Sequence, residues 1–120
     1  MIIGIGIDIM EIERIAAILK RTPRFPEKVL SPRELALFHE LTSEKRQVEF
    51  LAGRFSAKEA FSKAYGTGIG KAIGFHDMEV LQDERGKPII PFRDDIIVHV
   101  SISHSEHYVV AQVVLEKRNN

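Results

Sequence analysis

The sequence contains no cysteine, which excludes disulfides, thiolate nucleophiles and thiolate metal sites. Any bound metal must be held by oxygen or imidazole. Histidine offers little: five are present, and no His-x-x-x-His pair marks a zinc site. No stretch approaches the roughly 20 apolar residues of a membrane span. The apolar start from Met1 to Ile9 carries Asp8 and lacks the basic lead of a secretory signal. Neither sign of charge is in excess, with 17 basic and 17 acidic residues, which argues against general nucleic-acid binding. A cytoplasmic protein with no membrane or nucleic-acid partner is expected.

What is present fits a soluble globular chain: 44% hydrophobic and 28% charged residues. A length of 120 residues predicts one domain over 1–120. A domain this small has an unfavourable surface-to-volume ratio, which contact with other subunits would relieve. The charges are also uneven. Arg14, Lys20, Arg21, Arg24, Lys28 and Arg33 face a single acid, Glu27, over the same span. Such a basic stretch is either a solvated helix face or a surface for an acidic partner.

Periodicity orders the elements. Residues 1–8 alternate, with Ile3, Ile5 and Ile7 on one face and Gly4, Gly6 and Asp8 on the other, as in a strand. Glycine inside a strand marks close backbone approach. Ile9, Ile12, Ile15, Ala16 and Leu19 then form a helical stripe over 9–21, with Arg14 and Arg21 together on another face. Ser31-Pro32-Arg33-Glu34 predicts a capped helix to about Leu41. Thr42 or Ser43 caps a longer helix to about Tyr65, broken by Gly66-Thr67-Gly68-Ile69-Gly70. Strands are expected at 75–81 and 88–90, and a hairpin at 96–103 and 108–115. The polar tail 116–120 is expected to fray. Clustered helices with a mainly antiparallel run of strands predict an α+β fold.

Glu59 stands out. It falls within the apolar stripe Val48, Leu51, Ala52 and Phe55 of the long helix, whose other face carries Phe50, Phe61 and Tyr65. A carboxylate on a packed face is costly unless it is paired, hydrogen-bonded or metal-bound. A salt bridge to Lys63, an escape to solvent and metal ligation all remain open. Asp8 closes an apolar strand and either caps the next helix or joins Glu59. Two carboxylates suit Mg²⁺ when phosphate oxygens complete the shell. Arg46, Arg54, Lys58, Lys63 and Lys71 lie nearby in sequence, and such groups bind phosphate. The glycine loop could admit an anion or a base, or merely end the helix.

Three segments together resemble the short, bacterial-type holo-acyl-carrier-protein synthases of the 4′-phosphopantetheinyl transferase superfamily. They are Gly4-Ile5-Gly6-Ile7-Asp8 with Glu11-Ile12-Glu13-Arg14-Ile15; the run from Phe50 to Ala64, containing Phe55-Ser56-Ala57-Lys58-Glu59-Ala60, leading into Gly66–Gly70; and His99-Val100-Ser101-Ile102-Ser103-His104. The middle segment is the most specific, and the likeness spans essentially the whole chain.

The resemblance implies a long helix against an antiparallel sheet and a transferase of fatty acid biosynthesis. It would move 4′-phosphopantetheine from coenzyme A to a serine of apo-acyl-carrier protein, releasing adenosine 3′,5′-bisphosphate. Asp8 and Glu59 would bind Mg²⁺ with the coenzyme A pyrophosphate. Lys63 and His104 would approach the phosphates and reacting group, making Lys63, His104 and Glu59 the catalytic set. Arg46, Arg54, Gly66 and Gly68 would help hold coenzyme A. Arg14, Arg21 and Arg24 would receive the acidic carrier protein, with Ile15 and Ile18 adding apolar contact. A homotrimer with active sites between subunits is implied. The serine proton could pass to a metal-associated base, to a carboxylate or to His104. Two other readings use the same residues: a magnesium phosphotransferase or phosphoesterase acting on a nucleotide, and a non-catalytic module that binds carrier protein.

Overall fold

The computed structural model describes residues 1–119. Strand β1 (Ile2–Glu11) leads into helix α1 (Ile12–Arg21), short α2 (Phe25–Val29), α3 (Pro32–Glu40) and the long α4 (Glu44–Tyr65). A 3₁₀ turn (Phe75–Asp77), the short strands β2 (Leu81–Gln82) and β3 (Pro88–Ile89), and the long hairpin β4 (Ile96–His104) and β5 (Tyr108–Lys117) complete the chain. The main sheet is antiparallel in the order β1-β5-β4, and β2 pairs with β3 separately. This is the expected α+β architecture.

Helix α4 lies across the main sheet and divides the interior. One cluster holds Phe61, Met78, Val80, Ala111 and Leu115. The other joins α4 to α1, α2 and α3 through Ile15, Val29, Phe38 and Leu51. Two strand glycines permit the crossing. A Cβ at Gly4 would lie 2.0 Å from the Ala64 carbonyl oxygen, and one at Gly6 would lie 1.9 Å from that of Ala60. The close backbone approach expected of these glycines is therefore met by a helix.

The same packing decides the sidedness of β1. Its glycine face is the covered one, whereas Ile3, Ile5, Ile7 and Ile9 stand exposed in the single chain. Alternation gave the period correctly, but it could not say which face is buried, because a helix can sit directly on glycine.

Other boundaries differ for local reasons. The first helix starts at Ile12, because the β1–β5 ladder continues through Ile9↔Val110, Met10↔Val109 and Glu11↔Tyr108. Asp8 therefore lies within the strand and caps no helix. Helix α2 has Pro26 in its first turn but is too short to show periodicity. The strand expected over 75–81 is a 3₁₀ turn and an irregular segment, with only Leu81 entering a strand. There the Val80 N–H donates to the Glu34 side chain, at 3.0 Å, instead of to a neighbouring strand. The tail is held further than expected: Lys117 N–H reaches the Met1 carbonyl at 2.8 Å and Arg118 N–H reaches that of Asp95 at 2.9 Å. Asn120, also part of that tail, lies outside the described residues. The α3 capping box of Ser31 and Glu34 and the α4 cap by Ser43 form as predicted.

Candidate active site

Close contact between β1 and α4 brings together residues some 50 positions apart in sequence. The Ser56 hydroxyl donates to Asp8 Oδ2 at 2.9 Å. Lys63 Nζ lies 3.2 Å from Asp8 Oδ1 and donates to the Ile7 carbonyl at 3.0 Å. Ser56, Glu59 and Lys63 are spaced to share one helix face. Burial and the neighbouring Asp8 charge both push the Glu59 carboxyl above its ordinary pKa, while Lys63 opposes the shift. Lys63 is thus bonded to Asp8 and not to Glu59, the partner that i,i+4 spacing offered.

Asp8 and Glu59, two half-buried carboxylates whose charges oppose each other, could hold a cation. Both donors are hard oxygens, which suits Mg²⁺ with water and phosphate oxygens as further ligands. Among the described residues no group of three or more His, Cys, Asp or Glu side chains forms a complete protein cage. The residues present therefore fit an ion shared with a phosphate ligand.

A separate cleft of about 330 Å³ is lined by Arg46, Phe50, Arg54, Gly86, Pro88 and His104, among others. It gathers three residues expected to meet coenzyme A. Arg54 is 8% exposed. Its guanidinium stacks 3.9 Å over the Phe50 ring, and Nη2 donates to the Val80 carbonyl at 3.5 Å. Its buried Nε has no protein partner. Burial lowers the Arg54 pKa against an opposing pull from Glu34. Gly86 and Pro88 escaped the sequence reading as site residues, since a turn glycine and a proline opening a strand ordinarily mean only local structure.

Lys58 does not join the basic residues that could meet phosphate. Its side chain is fully buried and bonds to Glu34 Oε1 at 2.5 Å and to the Val29 carbonyl at 2.7 Å. Glu34 also accepts from Ser31 N–H at 2.9 Å and from Val80 N–H at 3.0 Å. Desolvation lowers the Lys58 pKa, against the pull of Glu34. This network pins α3 and the end of α2 to α4.

The glycine loop is equally occupied. Gly66 has φ +97° and ends α4, donating to the Ser62 carbonyl at 2.9 Å, and Gly68 N–H shares that acceptor at 3.3 Å. These two N–H groups therefore cap the helix. No atom lies within 4 Å of the Cβ position at either glycine, so a ligand could still pack beside the loop. The loop sits at the end of α4 away from Arg46, and Arg54 to Gly66 spans about 18 Å of helix axis.

Arg14, Arg21 and Arg24 are exposed on or just after α1. Arg24 also pairs with Glu27 at 3.0 Å on the open surface. Ile15 is fully buried and belongs to the core, so only the half-buried Ile18 is left for apolar contact there.

Residues 4–113 match the family model described as the 4′-phosphopantetheinyl transferase superfamily. The holo-[acyl-carrier-protein] synthase of Bacillus pumilus is 58% identical over 119 residues, covering 98% of each chain. That of Geobacillus kaustophilus is 59% identical over 118 residues, covering 98% of this chain and 91% of the relative. The crystal structure of the Bacillus anthracis holo-(acyl-carrier-protein) synthase in complex with CoA (3′,5′-ADP) superposes with a TM-score of 0.91 at 52% identity, covering 98% of this chain and 99% of that one.

Proposed function

The chain belongs to the holo-acyl-carrier-protein synthases of the 4′-phosphopantetheinyl transferase superfamily, and on that footing we propose that Asp8 and Glu59 hold Mg²⁺ against the coenzyme A pyrophosphate. The reaction transfers 4′-phosphopantetheine from coenzyme A to a serine of apo-acyl-carrier protein, in support of fatty acid biosynthesis. The serine oxygen forms a bond to the β-phosphorus, and the bond to the departing adenosine 3′,5′-bisphosphate breaks.

The observation that carries the metal reading is the bond that ties Asp8 to Ser56, at 2.9 Å, one helical turn before Glu59, where the Asp8 charge raises the Glu59 pKa. Bound Mg²⁺ would supply positive charge against the charge that develops on the phosphates. Lys63, already fixed by Asp8 and the Ile7 carbonyl, places an ammonium beside the same oxygens and stabilises the transferring phosphoryl group. Arg46, Arg54 and His104 hold the adenosine 3′-phosphate end in their cleft, where the buried Nε of Arg54 still has a hydrogen to donate. Gly66 and Gly68 offer open backbone for packing against the ligand. Arg14, Arg21 and Arg24 attract the acidic carrier protein and affect mainly encounter and affinity.

Within one chain the pocket beside Asp8 and Lys63 shares no lining residue with the Arg46–Arg54–His104 cleft. We propose a homotrimer in which a neighbouring subunit brings its cleft against Asp8, Glu59 and Lys63. The exposed row of Ile3, Ile5, Ile7 and Ile9, flanked by Val110 and Val114 across the ladder, is the apolar surface such an assembly would cover. Residues 1–120 would act as one catalytic domain in the cytoplasm; no described helix is long and apolar enough to cross a membrane.

The test is incubation with coenzyme A, Mg²⁺ and apo-carrier protein, read by intact mass. The carrier serine should gain one phosphopantetheine in a Mg²⁺-dependent reaction that Glu59→Gln abolishes. Undiminished transfer by Glu59→Gln would remove the ligand role.

A further inference from the structure

Ser56 lies in the interior of α4 and is fully buried. A serine so placed ordinarily bonds back to a carbonyl of its own helix. Here the hydroxyl leaves the helix, and both of its partners belong to Asp8: Oδ2 at 2.9 Å and the main-chain carbonyl at 3.3 Å. A hydroxyl has one proton, and the shorter contact takes it. Asp8 Oδ1 is approached separately by Lys63 at 3.2 Å. The two carboxylate oxygens therefore have different donors, and the plane of the carboxylate is fixed from both sides.

Resting on the reading of Asp8 as a cation ligand, we propose that Ser56 is a positioning residue that sets cation selectivity, by holding the Asp8 carboxylate, together with Lys63, in one orientation. Mg²⁺ demands near-octahedral geometry at short distances, whereas Ca²⁺ accepts more ligands and takes carboxylates in bidentate fashion. A bidentate clasp needs both oxygens turned evenly toward the ion, and the Ser56 bond resists that turn. Ser56 thus disfavours the coordination mode of the larger ion. It stands three residues before Glu59, so one helix turn carries both a ligand and the group that orients its partner ligand.

The experiment titrates MgCl₂ and CaCl₂ separately, by calorimetry, into the assembled protein saturated with coenzyme A. It compares wild type, Ser56→Ala and Glu59→Gln. Alanine removes one oxygen and suits a helix interior; the melting temperature of each metal-free variant checks the fold independently. Ser56→Ala should lose roughly 10–100-fold in Mg²⁺ affinity, the range seen when groups that orient metal ligands are removed. Its Ca²⁺ affinity should stay the same or rise. The rise in melting temperature on adding each salt should follow the same order. Unchanged Mg²⁺ affinity, or equal losses for both ions, would overturn the role of Ser56. If Glu59→Gln meanwhile loses Mg²⁺ binding, only the Ser56 assignment falls. If Glu59→Gln binds Mg²⁺ as wild type does, the ligand reading itself fails.

Discussion

Glu59 sits where burial and Asp8 both oppose its charge. Its raised pKa makes protonation stabilising for the metal-free protein. That stability is fully present below the ordinary carboxylate value of about 4.3 and is lost as pH rises through the raised one. Metal-free Glu59→Gln should therefore melt above wild type at neutral pH, with the gap closing near pH 4; calorimetric scans across pH read this directly. The same variant should lose about 100-fold or more in transfer rate, since loss of a direct ligand costs at least as much as loss of a group that orients one. Lys58, next in the chain, obeys a different rule. Removing one partner of a fully buried ion pair leaves the other uncompensated, so Lys58→Met should destabilise the protein by about 3–5 kcal/mol, measurable by urea unfolding. Sequence could single out Glu59, because a charge in an apolar stripe breaks a periodic pattern. It could not tell Lys58 from a phosphate-binding cation, because Glu34 lies 24 residues away with no periodic relation to it. Ser56 was equally hidden: a small polar residue in a helix has no signature until a strand is packed against it.

At the scale of elements, the decisive contact is between β1 and α4. Gly6→Ala would drive a Cβ into the Ala60 carbonyl, a rigid helix backbone atom. The expected cost is at the top of the roughly 1–3 kcal/mol overpacking range, accompanied by weaker Mg²⁺ binding as Glu59 shifts away from Asp8. Urea unfolding and calorimetry read the two effects. Helix α1 is the proposed docking surface for the second substrate. Arg14→Ala combined with Arg21→Ala should raise KM for carrier protein about 10-fold or more, leave KM for coenzyme A nearly unchanged, and flatten the dependence of KM on salt. Steady-state kinetics at two ionic strengths check this. The long, capped elements were legible: α3, α4 and the β4–β5 hairpin lie close to where periodicity and caps placed them. The segment from Phe75 to Val80 was not. Met78 and Val80 are buried and Phe75 partly so, yet the Val80 N–H is satisfied by the Glu34 side chain, a tertiary partner that local pattern cannot reveal.

For the whole molecule, the proposed homotrimer would make activity depend on the isoleucine row of β1. The sequence showed the row and its period, but not its exposure, which depends on α4 occupying the glycine side. Ile5→Asp should turn a species of three 13.6 kDa chains into monomer in sedimentation and lose transfer activity, with the helical circular dichroism retained. Subunit complementation tests the shared site most directly. Glu59→Gln and His104→Ala chains, each inactive alone, are co-expressed and isolated as mixed assemblies. In a homotrimer whose sites join Glu59 of one subunit to His104 of the next, random mixing leaves about a quarter of the interfaces intact, and a corresponding fraction of wild-type activity should return. Mixed assemblies as inactive as either parent would contradict the shared site.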